Sequence, residues 1–202
     1  MISKEKYEKI YQLLDRVSPI KGDCGKLCQA ACCQAEPSYQ EGIQNADYEE
    51  EGELGMYLLP GEEVMLKGED AWIRLKKESK EEYEFPPSWP EEVVFAGCKG
   101  PAACKREKRP IQCRSFPLYP HLDKAKGLCL IYCDFELPYL CPLIEGQSRL
   151  NEDFILATYE AWKMLLEDKA VYDLIEMDSQ AREEAAMGYV IVYPSGEEKN
   201  EN

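Results

Sequence analysis

The sequence predicts an α+β fold, a small single domain with terminal helices and a cysteine-rich, irregular centre holding a few short strands. Three observations predict it. Helical periodicity is confined to the two ends of the chain, alternating apolar patterns fall between them, and the middle carries a density of Pro, Gly and Cys that disfavours regular structure. Helices and strands that segregate along a chain in this way belong to α+β architectures. At 202 residues the chain is long enough for one domain with a modest core. That domain is expected over residues 1–193, with a disordered polar tail over 194–202.

Taken in order, Ser3 to Val17 reads as a helix: Tyr7, Ile10, Tyr11, Leu14 and Val17 recur at three-and-four spacing, Ser3 is the N-cap and Ser18-Pro19 the stop. Gly22 and Gly25 then lead into Cys24-x3-Cys28-x3-Cys32-Cys33. If that stretch is helical, Cys24, Cys28 and Cys32 share one row; if it is a loop, the sulfurs converge more freely. Asn45 to Glu53 is expected as an exposed acidic loop, Leu54 to Leu59 as a short buried segment closed by Pro60-Gly61, and Glu62 to Leu66 as a turn of helix. Trp72 to Phe85 alternates apolar and charged residues and reads as one or two strands, ended by the prolines around Trp89. From Cys98 to Pro120 no regular structure is expected. Leu128 to Phe135 reads as a strand with Cys129 and Cys133 on one face. Asn151 caps a helix to about Asp168, with Phe154, Ile155, Thr158, Ala161, Trp162, Leu165 and Leu166 as its apolar stripe. A second helix covers about Lys169 to Met187, with a break near Asp178-Ser179 and Gly188 as its stop. Tyr189 to Tyr193 adds a short strand.

The formal net charge of −15 argues against non-specific binding to nucleic acid or to an anionic membrane, since both reward a basic face. No run approaches the length of a membrane span, and Met1 to Lys6 leads into a charged amphipathic pattern without an apolar signal core. A cytoplasmic location is therefore expected, where disulfides are rare and clustered cysteines bind metal or do redox chemistry. The charge is unevenly spread: Glu41 to Leu66 holds eight acidic residues and no Lys or Arg, whereas Lys99 to Arg114 holds six basic residues against Glu107 alone. This basic island lies among the cysteines, where it would offset the charge of a thiolate site and lower thiol pKa values. A solvated basic loop on an acidic protein is the alternative.

Ten cysteines stand against one histidine. His121 cannot supply a Cys2His2 pair and is expected as a hydrogen-bonded or surface residue, so sulfur must dominate any metal site. Thiolates point to zinc or to an iron–sulfur cluster, and counting does not separate them: eight cysteines serve two zinc sites, four serve a [4Fe-4S] cluster.

The cluster from Cys24 to Cys33, together with Arg109-Pro110-Ile111-Gln112-Cys113-Arg114-Ser115-Phe116-Pro117, resembles the CxxCxxCC family of zinc- or iron-chelating domain proteins. That family pairs a cluster ending in Cys-Cys with a later Arg-Pro-x-x-Cys-Arg-x-Phe-Pro. The resemblance spans roughly residues 24 to 117, and the gaps here are three residues each in place of two. It implies Cys24, Cys28, Cys32, Cys33, Cys98, Cys104 and Cys113 as ligands, with an eighth from Cys129, Cys133 and Cys141. Cys133 and Cys141 are taken into the candidate set, so that a metal would staple the irregular centre. Beside such a site Pro110 would fix the backbone, Arg109 and Arg114 would donate to sulfur or pair with acids, and Phe116 would shield it.

Three function classes follow. The first is a metal-binding protein of unassigned biological role. The second is an S-adenosylmethionine-dependent or redox enzyme acting on a protein substrate, because the resemblance extends to proteins similar to flagellin lysine N-methylases. No Gly-rich fingerprint, P-loop, HExxH or nucleophile elbow supports a specific chemistry. The third is a thiol–disulfide protein using vicinal Cys32-Cys33, although adjacent cysteines bond to each other only with strain. A protein partner or substrate fits the first two; the oligomeric state is not legible.

Overall fold

Tyr7, Ile10, Tyr11 and Leu14 fall on one face of helix α1 (Lys4–Asp15), and all four are buried. Ser3 caps the helix as expected, its hydroxyl accepting from the Lys6 amide at 3.3 Å, which satisfies one of the first-turn donors. The computed structural model describes residues 1–33, 54–68, 71–133, 137, 139–146, 149–186 and 188–194. The acidic stretch Asn45 to Glu53 and the tail beyond Pro194 lie outside the described residues.

The chain is mixed α+β. Among the described residues α1 is followed by a short helix α2 (Gly25–Cys28), strands β1 (Gly55–Tyr57), β2 (Ile73–Ser79) and β3 (Glu92–Cys98), helix α3 (Ile111–Ser115), strands β4 (Leu118–Asp123) and β5 (Gly127–Tyr132), helices α4 (Glu152–Leu165) and α5 (Lys169–Glu184), and strand β6 (Ile191–Tyr193). Two antiparallel three-stranded sheets form, in the orders β1-β3-β2 and β4-β5-β6.

Three expectations are corrected. Strand β3, central in its sheet, was not expected, although Val93-Val94-Phe95 carries β-favouring residues. It pairs with β2 from Ile73↔Cys98 to Ser79↔Glu92. Secondly, the stretch from Cys98 to Pro120 is not irregular throughout, since it holds α3 and the start of β4. Pro120 is tolerated there because β4 is an edge strand. Thirdly, α5 runs unbroken through Asp178-Ser179. The Ser179 hydroxyl donates to Ile175 O at 2.6 Å and accepts from the Leu122 amide at 2.9 Å, while Asp178 accepts from the Tyr119 hydroxyl at 2.6 Å. These polar side chains dock the helix onto β4 instead of ending it. Its end comes at Glu184, with Ala186 rather than Gly188 in the left-handed region (φ 50°). Two smaller differences concern ends: β5 stops at Tyr132, one residue short of Cys133, and Asn151 precedes α4 without a side-chain cap, its Nδ2 donating instead to Ser18 O at 2.9 Å.

The larger core joins α1, α4 and α5 to the β4-β5-β6 sheet, with Trp162, Leu165, Phe154, Val171, Ile175, Leu118 and Leu130 at its centre. The smaller core gathers Leu58, Leu66, Trp72, Ile73 and Ala96, and Cys98 and Cys104 pack on its edge. Close packing of the first sheet depends on Gly55: a Cβ there would stand 2.4 Å from Ala96 O and 2.5 Å from the Phe95 ring, distances no side chain can accept.

Glu62, the first residue of a 3-10 turn (Glu62–Met65), connects these parts although it is fully buried. Its Oε1 accepts from the Tyr11 hydroxyl at 2.9 Å and the Ile111 amide at 2.7 Å, and its Oε2 from the Leu59 amide at 3.2 Å. Desolvation raises its pKa above the ordinary 4.5, with the three donors and Arg114 pulling the other way. An acid with a raised folded-state pKa keeps its proton longer in the folded than in the unfolded chain. Its contribution is therefore fully present below pH 4.5 and is lost as pH rises through the folded value. Urea unfolding at successive pH values should show that decline in the parent chain. Glu62→Gln should lack it, and a decline of equal size in the variant would contradict the assignment. Glu62→Ala, which strands three buried donors, should lose roughly 3 kcal/mol or more.

Candidate metal centre

The first cysteine cluster is neither a continuous helix nor an open loop. Helix α2 covers one turn and ends at Cys28; Gln29 (φ 54°) and Ala30 (φ 59°) then take left-handed conformations, and a 3-10 turn spans Ala31–Cys33. Two successive left-handed residues reverse the chain tightly. The reversal is held by hydrogen bonds from the Ala30 amide to Gly25 O and from the Cys33 amide to Ala30 O, both 2.8 Å. It brings the Cys32 and Cys33 sulfurs to 3.7 Å of each other.

The second set arrives from the small core. Cys98 is the last residue of β3, and its sulfur accepts from the Gly100 amide at 3.4 Å. Cys104 follows in the next turn, and Cys113 lies in α3, its sulfur 3.8 Å from Met56 Sδ. Helix α3 is positioned by Glu62 through the Ile111 amide.

Arg109 stands among these thiols. Its Nε donates to Cys104 Sγ at 3.1 Å, and its charge acts on Cys104, Cys33 and Cys113 and also on Cys24 and Cys98. Arg114 holds it in place, its Nε donating to Arg109 O. The remaining Arg114 nitrogens reach Glu107 O and pair with Asp15, and its guanidinium lies over the Tyr11 ring at 4.2 Å from the centroid. Of the two roles expected for these arginines, Arg109 takes the bond to sulfur and Arg114 the bond to an acid. Arg106 turns away to donate to Val17 O at 2.9 Å.

Mutual charge effects show which cysteines share a neighbourhood. The Cys33 thiolate acts on Cys98 and Cys113, while Cys32 is affected by Cys33, Cys28 and Cys24. Tyr139 is pushed up by burial first and then by the Cys32, Cys133, Cys141 and Cys33 thiolates. Arg109 thus lies near Cys24, Cys33, Cys98, Cys104 and Cys113, Tyr139 near Cys32, Cys33, Cys133 and Cys141, and Cys28 near Cys24 and Cys32. Cys129 is not among them: it is buried in β5 opposite His121, and its charged neighbours are Asp123 and Lys126. His121, buried with Arg182 Nη1 at 3.3 Å from its Nδ1, belongs to that distant region as well. Sequence reasoning missed Tyr139 and Met56. Only the position of Tyr139 two residues before Cys141 could have drawn notice to it.

Thiol acidity divides the set. The Cys32 and Cys33 thiols share one hydrogen bond in which either sulfur can donate, and that bond with the Arg109 charge holds the first ionisation of the pair down to about 6 while the second is pushed up. Burial raises Cys24, Cys98 and Cys113. No disulfide joins any of the ten cysteines, and Cys32 alone among them is exposed. Among the described residues no group of three or more Cys, His, Asp or Glu side chains stands in a metal-holding arrangement. The arrangement reached is a close pair, Cys32 and Cys33, with the other thiols around it. No helix of the described residues is long and apolar enough to cross a membrane.

Compared with protein-family models, curated proteins and solved structures, the chain matches none.

The pH profile of alkylation by iodoacetamide, read by peptide mass, should place the first midpoint of the Cys32–Cys33 pair near 6. Cys32→Ala removes the shared hydrogen bond and should leave Cys33 with a midpoint more than one unit higher, with a several-fold slower reaction at pH 7. An unmoved midpoint would show that Cys32 does not set it.

Proposed function

We propose that the chain is a metal-binding protein of a reducing compartment, in which Cys32 and Cys33 bind one thiolate-held metal ion with further ligands drawn from Cys24, Cys28, Cys98, Cys104, Cys113, Cys133 and Cys141. The observation that carries this reading is the 3.7 Å separation of the Cys32 and Cys33 sulfurs. Two corners of a tetrahedral zinc–thiolate site, with bonds of about 2.3 Å, lie about 3.8 Å apart. The pair therefore suits joint coordination of one ion. A [4Fe-4S] cluster takes one cysteine on each iron, which the pair does not suit, so zinc, or iron bound singly, is the better match.

The chemistry of the surroundings supports the same reading. The donors are thiols, which select zinc or iron over hard cations. Arg109 brings positive charge to a place where several thiolates would accumulate negative charge, and so favours their deprotonated, ligating form. When bound, the metal would supply cross-links among segments that are distant in sequence, a structural role. Thiol exchange is the second reading, favoured by the low pKa of Cys33. Among the described residues no arrangement specifically favours methyl transfer.

Protein purified aerobically and anaerobically should carry zinc or iron at a fixed ratio to chain, without labile sulfide. Cys33→Ser should lose that metal and, because binding and folding are coupled, several kcal/mol of stability. A chain free of both metals whose thermal unfolding ignores a chelator would overturn the proposal, and thiol exchange would then be tested by whether Cys33 forms a mixed disulfide with glutathione.

A further inference from the structure

Cys32 and Cys33 stand apart from the other thiols by the closeness of their sulfurs, 3.7 Å, and by the exposure of one member: Cys32 is exposed, while Cys33 is partly enclosed like Cys98, Cys104 and Cys113. The bend at Gln29 and Ala30 presents the pair on a short 3-10 turn, so that an approaching molecule meets Cys32 from solvent with the partly enclosed Cys33 sulfur 3.7 Å behind it.

We infer that Cys32 and Cys33 form a capture site for trivalent arsenic, taking arsenous acid or a monosubstituted organic arsenical as a dithiolate chelate. Trivalent arsenic is thiophilic and accepts two sulfurs on adjacent corners of a pyramid, which requires the sulfurs to be near each other and open on one side. With arsenous acid, two As–O bonds break and two As–S bonds form; each thiol proton leaves with a hydroxide as water. With phenylarsine oxide, both thiol protons leave with the single arsenic-bound oxygen as one water. Arsenic stays trivalent and sulfur stays at the thiolate level, so neither oxidant nor reductant is consumed. Chelation supplies the affinity, because the second As–S bond is intramolecular. The inference does not rest on the metal reading, since it needs only two reduced thiols.

Phenylarsine oxide is the probe. The full chain, reduced with a phosphine, is titrated before and after dialysis against a chelator, with zinc and iron measured in parallel. The adduct is read by intact mass and located by peptide mapping. The expected result after dialysis is one arsenic per chain at one equivalent, placed on the peptide containing Cys32 and Cys33; before dialysis, any zinc or iron held by the same sulfurs should compete and leave the chain as arsenic binds. Cys32→Ser and Cys33→Ser should each weaken capture on the order of a hundredfold, the size of an effective-concentration gain, whereas Cys98→Ser should not. Cys32 is exposed, and the parent and variant chains are compared after dialysis, with circular dichroism to confirm that both are folded, so that loss of a bound metal does not enter the comparison. An adduct located on another cysteine pair, or equal capture by Cys32→Ser and the parent chain, would overturn the inference. Absence of zinc and iron from the parent chain would overturn only the metal proposal.

Discussion

A buried carboxylate with three donors governs how the parts of this chain meet. Glu62 reaches helix α1 through Tyr11, the end of the first sheet's edge segment through Leu59, and helix α3 through Ile111. Burying such a group is expensive, and the expense is contained only because every approach to it ends in a hydrogen bond. What the arrangement provides is direction. An amide at the start of α3 that would otherwise face an apolar interior is drawn toward one oxygen, and the helix carrying Cys113 and Arg114 is thereby fixed against α1. Tyr11 contributes twice, by its hydroxyl to Glu62 and by its ring face to Arg114. The carboxylate, the phenol and the guanidinium form one polar thread between the hydrophobic core and the thiols.

The thiols sit where two cores border each other. Cys24 packs against the larger core and Cys141 is part of it, while Cys98 and Cys104 edge the smaller one. A chain with a net charge of −15 places an arginine among these sulfurs, so the local field opposes the global one. Long-range repulsion from the acidic surface is screened over roughly a Debye length of 8 Å, whereas Arg109 lies within the thiols, donating to Cys104 Sγ at 3.1 Å. At Cys33 the Arg109 charge works against that of Asp23.

Terminal helices and the residues facing the core were readable because their signals are local: three-and-four spacing in α1 and α4, and a capping serine before Lys4. The middle was harder. Proline density around Trp89 and Pro120 was read as disruption, yet Pro120 lies on a sheet edge and the Val93-Val94-Phe95 run after the prolines forms the central strand. Helix α3 starts with a proline and no capping side chain of its own; its cap comes from a residue 49 positions earlier, which no window of sequence reveals. Composition and resemblance led to an expected grouping of nine cysteines; the structure brings one close pair of them together, Cys32 and Cys33, and sets Cys129 opposite His121 in β5. The break expected at Asp178-Ser179 failed because those polar residues found partners on β4, a tertiary effect that overrides local preference.

Neither residue at the bend before Cys32 is glycine. Gln29 and Ala30 each accept a steric cost of about 1 kcal/mol or more for a left-handed backbone, which glycine would avoid. Glycine would also reopen much of conformational space to the turn, and the two sulfurs beyond it would then sample many separations. A side chain at each position narrows those options, so the cost in stability is exchanged for preorganisation, and a ligand bridging Cys32 and Cys33 would have less entropy left to remove.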